Sequence, residues 1–136
     1  MLEQPYERPC EVLFSDIDVN GQVHHLAYLR YAEAARVHAL SEVGLEPQRL
    51  VSLGCVVAVL SLRVSYLAPL SFGETVRASA RYRFGGGKSF SCTQRLHGEI
   101  SGEVAGLELV LGLLDTATGR LAEEPRRTLE ELAKHA

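Results

Sequence analysis

The amino-acid sequence predicts an α+β fold in which a single antiparallel sheet wraps around one long helix. Residues 24–43 form the one stretch with the length and composition of a long helix, and four segments that alternate apolar and polar residues follow it. Short connections rich in glycine join these segments, as is typical of antiparallel neighbours. Because one helix cannot cover both faces of a flat sheet, we expect the sheet to curl around it and to leave apolar strand surface for a partner subunit.

Length and composition are typical of a single globular domain, which we assign to residues 1–136. The net charge of −3 argues against nucleic acid as a partner. No apolar run is long enough to span a membrane, and the N-terminus lacks the features of a secretory signal. The three cysteines are widely spaced and odd in number, which indicates free thiols in a reducing compartment, so we expect a cytoplasmic protein.

The first two elements are a short strand and the long helix. The strand is expected at residues 9–15 and leads to the run DIDVNG, residues 16–21. The helix, residues 24–43, contains neither Pro nor Gly, and Gly44 follows it at a position where glycine favours helix termination. Its apolar face consists mostly of small residues, which allow a helix to lie close to a sheet: Tyr28, Tyr31, Ala32, Ala35 and Ala39.

The remaining elements are four strands and a terminal helix. In residues 60–67 and 75–84 apolar and polar side chains alternate, which predicts strands with one buried and one polar face. Residues 88–97 alternate in the same way, and residues 103–115 form a more apolar last strand. Residues 125–136 are predicted to form a short helix.

Two motifs resemble metal or nucleotide sites but fail in detail. DIDVNG begins like an EF-hand calcium loop, but Ala27 stands at the position where that loop needs a bidentate Glu. GGGKS, residues 85–89, lacks the first Gly of a P-loop and joins two strands instead of opening a helix. His24 and His25 are adjacent, and adjacent side chains on a helix diverge by about 100°, which argues against both binding one ion. We therefore predict no metal and no cofactor.

Four segments spread over nearly the whole chain carry a family resemblance. They are FSDIDVNGQVHHLAYLRYAEAAR (14–36), VSYLAPLSFGETV (64–76), GGGKSFSCTQRL (85–96) and LVLGLLDTATGRLAEEP (109–125). In this order they are similar to the hotdog-fold thioesterases of the 4-hydroxybenzoyl-CoA thioesterase type, which include the YbgC-like acyl-CoA thioesterases. The resemblance implies a hotdog fold, a five-stranded antiparallel sheet wrapped around one long central helix. It also implies that subunits join edge to edge into homodimers or homotetramers.

The same resemblance implies hydrolysis of acyl-CoA thioesters and suggests the residues for it. The carboxylate that matches the family's catalytic Asp is Asp18, which would act as general base or as nucleophile. The amide at the helix start, near His25, would polarise the thioester carbonyl, in agreement with the positive end of the helix dipole. In another branch of the family the acid comes from the central helix, which makes Glu33 a reserve candidate. Lys88 and Ser89, together with Arg83, are the expected contacts of the CoA phosphates.

Other interpretations remain open at this point. Asp18 would organise the turn before the helix if it is not catalytic, and Asp16 is expected to do so by accepting backbone hydrogen bonds. His25 either contacts the substrate or is a polar neighbour of Asp18, whereas His24 is expected to face solvent or an interface. Lys88 could equally belong to a solvated hairpin tip. For the whole protein, the alternatives are a hotdog hydratase or dehydratase, and a module that binds an acyl ligand without hydrolysing it.

Overall fold

The computed structural model describes residues 2–135, most of which belong to one curled sheet and the helix inside it. Strand β1 spans Tyr6–Glu11, and helix α1 spans His25–Ser41. The long strands are β2 (Cys55–Tyr66), β3 (Thr75–Phe84), β4 (Ser89–Gly98) and β5 (Gly102–Asp115). The shorter elements are α2 (Pro47–Ser52), β6 (Arg120–Leu121) and α3 (Pro125–Lys134).

The five longer strands lie in the order β1-β3-β4-β5-β2, and every neighbouring pair is antiparallel. The short strand β6 adds to β5. This arrangement confirms the predicted α+β class and the five strands that the resemblance implied. Because β1 and β2 stand at the two ends of the order, both are edge strands.

Helix α1 packs mainly on β3 and also contacts β1 and β4. Its small residues Ala32 and Ala35 are fully buried, which lets the helix axis approach the sheet as the sequence predicted. The opposite side of the core comes from inward side chains of β4 and β5, among them Phe90, Cys92, Leu107, Leu109 and Leu111. Each fully buried Leu of this kind contributes about 2 kcal/mol of hydrophobic stabilisation.

The prediction that β2 has one buried face is wrong. Leu62 pairs with Leu109 and therefore points to the concave side of the sheet, yet it is 43% exposed. Val59 and Tyr66 on the same side are also exposed. The reason is that α1 packs mainly over β1, β3 and β4 and covers the edge strand β2 less completely, contacting it through Tyr66 at the helix start. An apolar strip on the concave face of β2 is consequently open.

Smaller differences concern element boundaries and one short helix, and β2 begins at Cys55 instead of at residue 60. The first strand covers Tyr6–Glu11 instead of 9–15, and the following residues Phe14–Asp16 form a 3-10 turn. Proline at position 9 is tolerated because β1 is an edge strand. The short helix α2 was not predicted, since six residues are too few for a recognisable helical period. The terminal helix ends at Lys134, and the last predicted position, Ala136, lies outside the described residues.

The cysteines pack as core residues. Cys55 and Cys92 are buried, Cys10 is half-buried, and all three are free thiols. Burial raises the pKa of the Cys92 thiol to about 11, so it remains a neutral, apolar side chain at physiological pH. None of the helices within residues 2–135 combines the length and the apolar character that crossing a lipid bilayer requires.

A buried carboxylate, Glu74, joins the turn before β3 to the turn between β4 and β5. It is 2% exposed and accepts hydrogen bonds from Ser71 N, Ile100 N, Ser101 N and Ser101 Oγ. Gly98 permits this approach, because a Cβ there would collide with the carboxylate. Burial by itself would raise the pKa of Glu74, but the hydrogen bonds from Ser71, Ser101 and Ile100 outweigh it and lower the pKa below its ordinary value.

Replacing Glu74 by Gln is expected to lower the free energy of unfolding by about 2 kcal/mol at pH 7, because an amide cannot accept all four hydrogen bonds. The pKa of the native carboxyl is lowered, so its charge stabilises the fold above the unfolded-state pKa of about 4.3. That contribution is lost as the pH falls from there through the folded pKa. Urea unfolding should therefore show that the difference in free energy of unfolding between wild type and Glu74→Gln becomes smaller as the pH is lowered.

The matched control is Glu103→Gln, which removes an exposed carboxylate paired with Arg95. Exposed pairs contribute about 0–1 kcal/mol, so the free energy of unfolding of this variant should be close to that of wild type both at pH 7 and at acid pH. An equal loss of stability in the two variants would contradict a special role for Glu74.

Candidate active site

The run DIDVNG forms a closed turn directly before helix α1. Asp18 N donates to Gln22 O at 2.7 Å and Gly21 N donates to Asp18 O at 3.0 Å, while Ile17 and Val23 form an isolated antiparallel bridge. Gly21 has a φ of +76°, a left-handed conformation that favours glycine. The turn is therefore a small, well-defined hairpin with half-buried Asp18 at its first position.

The carboxylate of Asp18 is held by this turn through one oxygen. Oδ1 accepts hydrogen bonds from Asn20 N at 2.8 Å and from Gln22 N at 3.1 Å. Within residues 2–135 no donor reaches Oδ2. These bonds are those expected of an Asp that organises a turn, and they orient the whole carboxylate within it.

Helix α1 begins with a histidine cap that the sequence did not predict. His24 is extended, with φ −62° and ψ 137°, and its Nδ1 accepts a hydrogen bond from Leu26 N at 3.1 Å. The half-buried His24 thus caps the helix in addition to the solvent or interface position expected of it. The imidazoles of His24 and His25 stack, with ring centroids 4.6 Å apart, instead of diverging. The two rings can stack because His24 precedes the helix and does not have helical dihedral angles.

The stacked histidines do not form a recognisable metal site. Across residues 2–135 no group of three or more His, Cys, Asp or Glu side chains is arranged to hold an ion. That the protein needs no metal ion stays a prediction, which activity after chelation would test.

The first helical amide, that of His25, is open. Leu26 N is taken by the His24 side chain, and Ala27 N donates to His24 O at 2.9 Å. The N–H of His25 has no acceptor within the described part of the chain. The N-terminus of a helix carries a partial positive charge, so this amide is suited to an anionic or polarised oxygen.

Two tyrosines tie the helix start to β2 and the segment that follows it: Tyr66 on β2 and Tyr28 on α1 itself. Tyr66 donates its hydroxyl hydrogen to the His25 carbonyl oxygen at 3.1 Å. The Tyr28 hydroxyl accepts from Leu70 N at 2.9 Å and donates to Ala68 O at 3.3 Å. Tyr28 thus packs in the core with its hydroxyl satisfied. Tyr66 was missed as a site residue because strand alternation assigned it to a buried face.

An exposed aromatic pair lies on the turns that flank the site. Phe14, in the turn after β1, is 81% exposed, and Phe72, in the turn before β3, is 60% exposed. Their rings meet edge to face with centroids 6.2 Å apart. The two turns that precede α1 and β3 thus present an apolar surface to solvent.

Asp16 has the structural role predicted for it and lies deeper than expected. It is 5% exposed, and its Oδ2 accepts from Leu13 N at 2.8 Å and from Tyr31 Oη at 2.7 Å. Its Oδ1 forms an ion pair with the guanidinium of Arg30. The two acids of DIDVNG thus have different environments, one buried and fully paired, the other half-buried with an open oxygen.

The reserve candidate Glu33 lies elsewhere on α1. It is eight residues beyond His25, which corresponds to about 12 Å along the helix axis. It lines a cavity of about 220 Å³ that α1 and α2 form with β2, together with Arg36. Among residues 2–135 the Glu33 carboxylate forms no ion pair, neither with Arg30 or Arg36 nor with a neighbouring strand, since Arg30 pairs with Asp16 and Arg36 donates to Gln94. A single chain does not bring Glu33 to the Asp18 turn.

The expected CoA contacts lie at the other end of the sheet. Arg83 and Ser89 share a surface depression of about 450 Å³ with Arg81, and Lys88 stands exposed at the tip of the same β3–β4 hairpin. The Asp18 turn follows β1, whose last residue pairs with the first residue of β3. The ten residues of β3 span ~30 Å. One chain therefore separates the predicted catalytic carboxylate from the predicted phosphate contacts by the length of a strand.

A sheet curled around one helix, with a carboxylate in the turn before that helix, defines a hotdog-fold protein of the thioesterase type. The chain belongs to the thioesterase-like superfamily, whose family model matches residues 12–132. This confirms the family that the sequence motifs indicated.

Relatives agree with this assignment. The chain is 40% identical over 58 residues to protein sll0410 of Synechocystis, covering 43% of this chain and 35% of that protein. It is 27% identical over 88 residues to the acyl-CoA thioester hydrolase YbgC of Escherichia coli O6:H1, covering 65% and 66% of the two chains. The matched stretches thus span from about a third to just under two thirds of these curated relatives.

The fold is shared with solved structures. The Synechocystis protein Slr0204, a 1,4-dihydroxy-2-naphthoyl-CoA thioesterase, superimposes with a TM-score of 0.84 at 17% identity. The superposition covers 96% of this chain and 95% of Slr0204. At this level of identity the likeness establishes the hotdog fold.

Proposed function

We propose that the protein hydrolyses acyl-CoA thioesters to the free acid and CoA. The observation that carries this proposal is the pairing of a half-buried carboxylate, Asp18, with an open helix N-terminus that begins at His25 a few residues later. A base or nucleophile beside an oxyanion donor is what acyl transfer requires. The likeness to YbgC, which is named an acyl-CoA thioester hydrolase, supports the same substrate class.

The reaction uses the two groups in sequence. Asp18 removes a proton from a water molecule, whose oxygen attacks the thioester carbonyl carbon, or the carboxylate attacks that carbon itself. The carbonyl oxygen becomes an oxyanion, which accepts a hydrogen bond from the His25 amide at the positive end of α1. If Asp18 acts as base, the carbon–sulfur bond then breaks, the CoA sulfur takes up the proton held by Asp18, and the attacking water supplies the oxygen of the released acid. If Asp18 acts as nucleophile, breaking of the carbon–sulfur bond leaves the acyl group as a mixed anhydride on Asp18. Water then cleaves that anhydride, which releases the acid, restores the carboxylate and supplies the proton taken up by the CoA sulfur.

The site is completed by a second copy of the chain. The Asp18 turn lies near the start of β3, and Lys88 lies just beyond its end. A substrate can therefore contact both residues most directly at a subunit interface, where Lys88 of one copy comes close to Asp18 of the other. Strand β2 is a 12-residue edge strand whose concave apolar side chains are open, which favours edge-to-edge pairing with a partner. Sedimentation is expected to give a dimer or tetramer at micromolar concentration, and a stable monomer would contradict the shared site.

Thiol release tests the activity. Wild-type protein is incubated with short, branched, aromatic and long acyl-CoAs, and free CoA is titrated with a thiol reagent. Hydration of an enoyl-CoA without thiol release would favour a hydratase. Saturable binding without any turnover would favour a module that only holds an acyl ligand. We also propose a cytoplasmic setting, which the three free thiols support.

Replacing Lys88 by Ala is expected to raise KM several-fold and to leave kcat nearly unchanged. The exposed ammonium would meet a CoA phosphate, an interaction that is equal in ground and transition states. The effect should shrink as salt rises, because exposed ion pairs are screened. Arg83→Gln should act in the same direction.

The chain offers a matched control, since its one other lysine is Lys134. Lys134 is exposed at the end of α3, and Lys134→Ala should leave KM unchanged. If Lys88→Ala leaves KM unchanged at low salt, the residue belongs to a solvated hairpin tip.

A further inference from the structure

We infer that Asp16 is a positioning residue, whose buried carboxylate fastens the turn that carries Asp18 to the body of helix α1. The inference rests on the proposed function, because it assigns Asp16 an effect on the reaction at Asp18. Asp16 itself does not touch the substrate. Its partners Arg30 and Tyr31 affect the reaction only by holding the Asp16 carboxylate in place.

The burial of Asp16 calls for a reason. A carboxylate that is 5% exposed is costly unless it is paired and hydrogen-bonded. Turn formation alone would need only the bond from Leu13 N, which closes the 3-10 turn at 2.8 Å. The carboxylate accepts its other hydrogen bonds from outside the turn, from Tyr31 and Arg30 on α1.

Both partners on α1 are themselves held in place. Tyr31 is 2% exposed, and burial raises the pKa of its hydroxyl, which remains a hydrogen-bond donor at neutral pH. The guanidinium carbon of Arg30 lies 5.3 Å from the centroid of the Tyr31 ring. Helix α1 therefore presents one buried neutral donor and one half-exposed cation to the two oxygens of Asp16.

The backbone transmits this anchoring to Asp18. The carbonyl oxygen of Asp16 accepts from His24 N at 2.7 Å, and the next residue, Ile17, pairs with Val23. The hydrogen bonds of Asp18 to Asn20 and Gln22 set its orientation only within the turn. The position of that turn relative to α1 and its open amide depends on Asp16.

The test uses Tyr31→Phe, which removes only the hydroxyl that donates to Asp16. The matched control is Ser101→Ala, which removes a hydroxyl that donates at 2.8 Å to the other buried carboxylate, Glu74. Both variants should melt a few degrees below wild type. Tyr31→Phe should lower kcat about tenfold with KM within about twofold of wild type, since small misplacements of catalytic groups reduce turnover. Ser101→Ala should keep kcat within about twofold of wild type.

Restoring the charge provides a second comparison. Arg30→Gln removes the cation that faces Asp16, and Arg30→Lys retains a positive charge at the same place. We expect Arg30→Lys to recover part of the kcat that Arg30→Gln loses. Equal losses of kcat in Tyr31→Phe and Ser101→Ala, or a loss of stability with unchanged kcat in Tyr31→Phe, would overturn the inference.

Amide hydrogen exchange tests the role of Asp16 independently of any enzymatic activity. In Tyr31→Phe the amides of Leu13 and His24, which donate to Asp16, should exchange faster than in wild type, and in Ser101→Ala they should not. If wild-type protein releases no thiol from any acyl-CoA, the proposed function fails, whereas faster exchange would still support the fastening. Unchanged exchange at both amides would overturn the fastening whether or not the protein is active.

Discussion

Replacing Asp18 by Asn is expected to lower kcat by about 10²–10⁴-fold, which is the usual contribution of general-base catalysis. The Asn carbonyl oxygen can take the place of Oδ1 and accept from Asn20 N and Gln22 N, so the turn should survive. The amide nitrogen then replaces Oδ2, the oxygen that is open in the native turn, and it is neither basic nor nucleophilic. Substrate affinity and melting temperature should change little.

Steady-state kinetics and thermal melting of the same preparations check this expectation. If Asp18 only organises the turn, Asp18→Asn should remain active, and Asp18→Ala should lose about 1 kcal/mol of stability with activity mostly retained. Glu33→Gln serves as the control, because its carboxylate is exposed and lies away from the turn. A dead Glu33→Gln beside an active Asp18→Asn would leave the thioesterase proposal in place and move the acid to the helix.

The second large effect concerns the open amide, which His25→Pro deletes. Proline is favoured at the first position of a helix and lacks the N–H. The residue before a proline must be extended, and His24 already has φ −62° and ψ 137°. The substitution should therefore fold normally and retain the carbonyl that accepts from Tyr66. Loss of an oxyanion donor is expected to lower kcat by about 10²–10³-fold.

His25→Ala separates the amide from the imidazole, because it removes the ring and keeps the N–H. It should retain most of the wild-type kcat if the backbone amide is the functional group. If His25→Ala is as impaired as His25→Pro, the imidazole takes part in the reaction. If both variants match wild type, the helix N-terminus does not stabilise the oxyanion.

Much of the fold could be predicted from local sequence patterns, namely alternation in strands and glycine-rich turns. Strand β3 is observed at its predicted bounds, Thr75–Phe84; β4 is shifted by one residue at both ends, and β5 begins one residue earlier. Alternation in a strand depends on which face each residue presents to the core, and glycine-rich turns depend on a few neighbouring dihedral angles. Both can be recognised in a short window of sequence. The motif around Asp18 was likewise recognisable, because it is a contiguous turn followed by a helix.

What the sequence by itself determined is thus the order of the longer elements, the α+β class, the family and the turn that carries the candidate carboxylate. The tertiary structure alone decided how the two acids of that turn differ. The partners of Asp16 are 14 and 15 residues away on α1, and the tyrosine that contacts the His25 carbonyl is 41 residues away on β2. It also decided that β2 is an uncovered edge and that Lys88 lies a strand's length from Asp18. These relations follow from strand register and helix placement, which arise from contacts between distant segments and are not encoded in the pattern of any one of them.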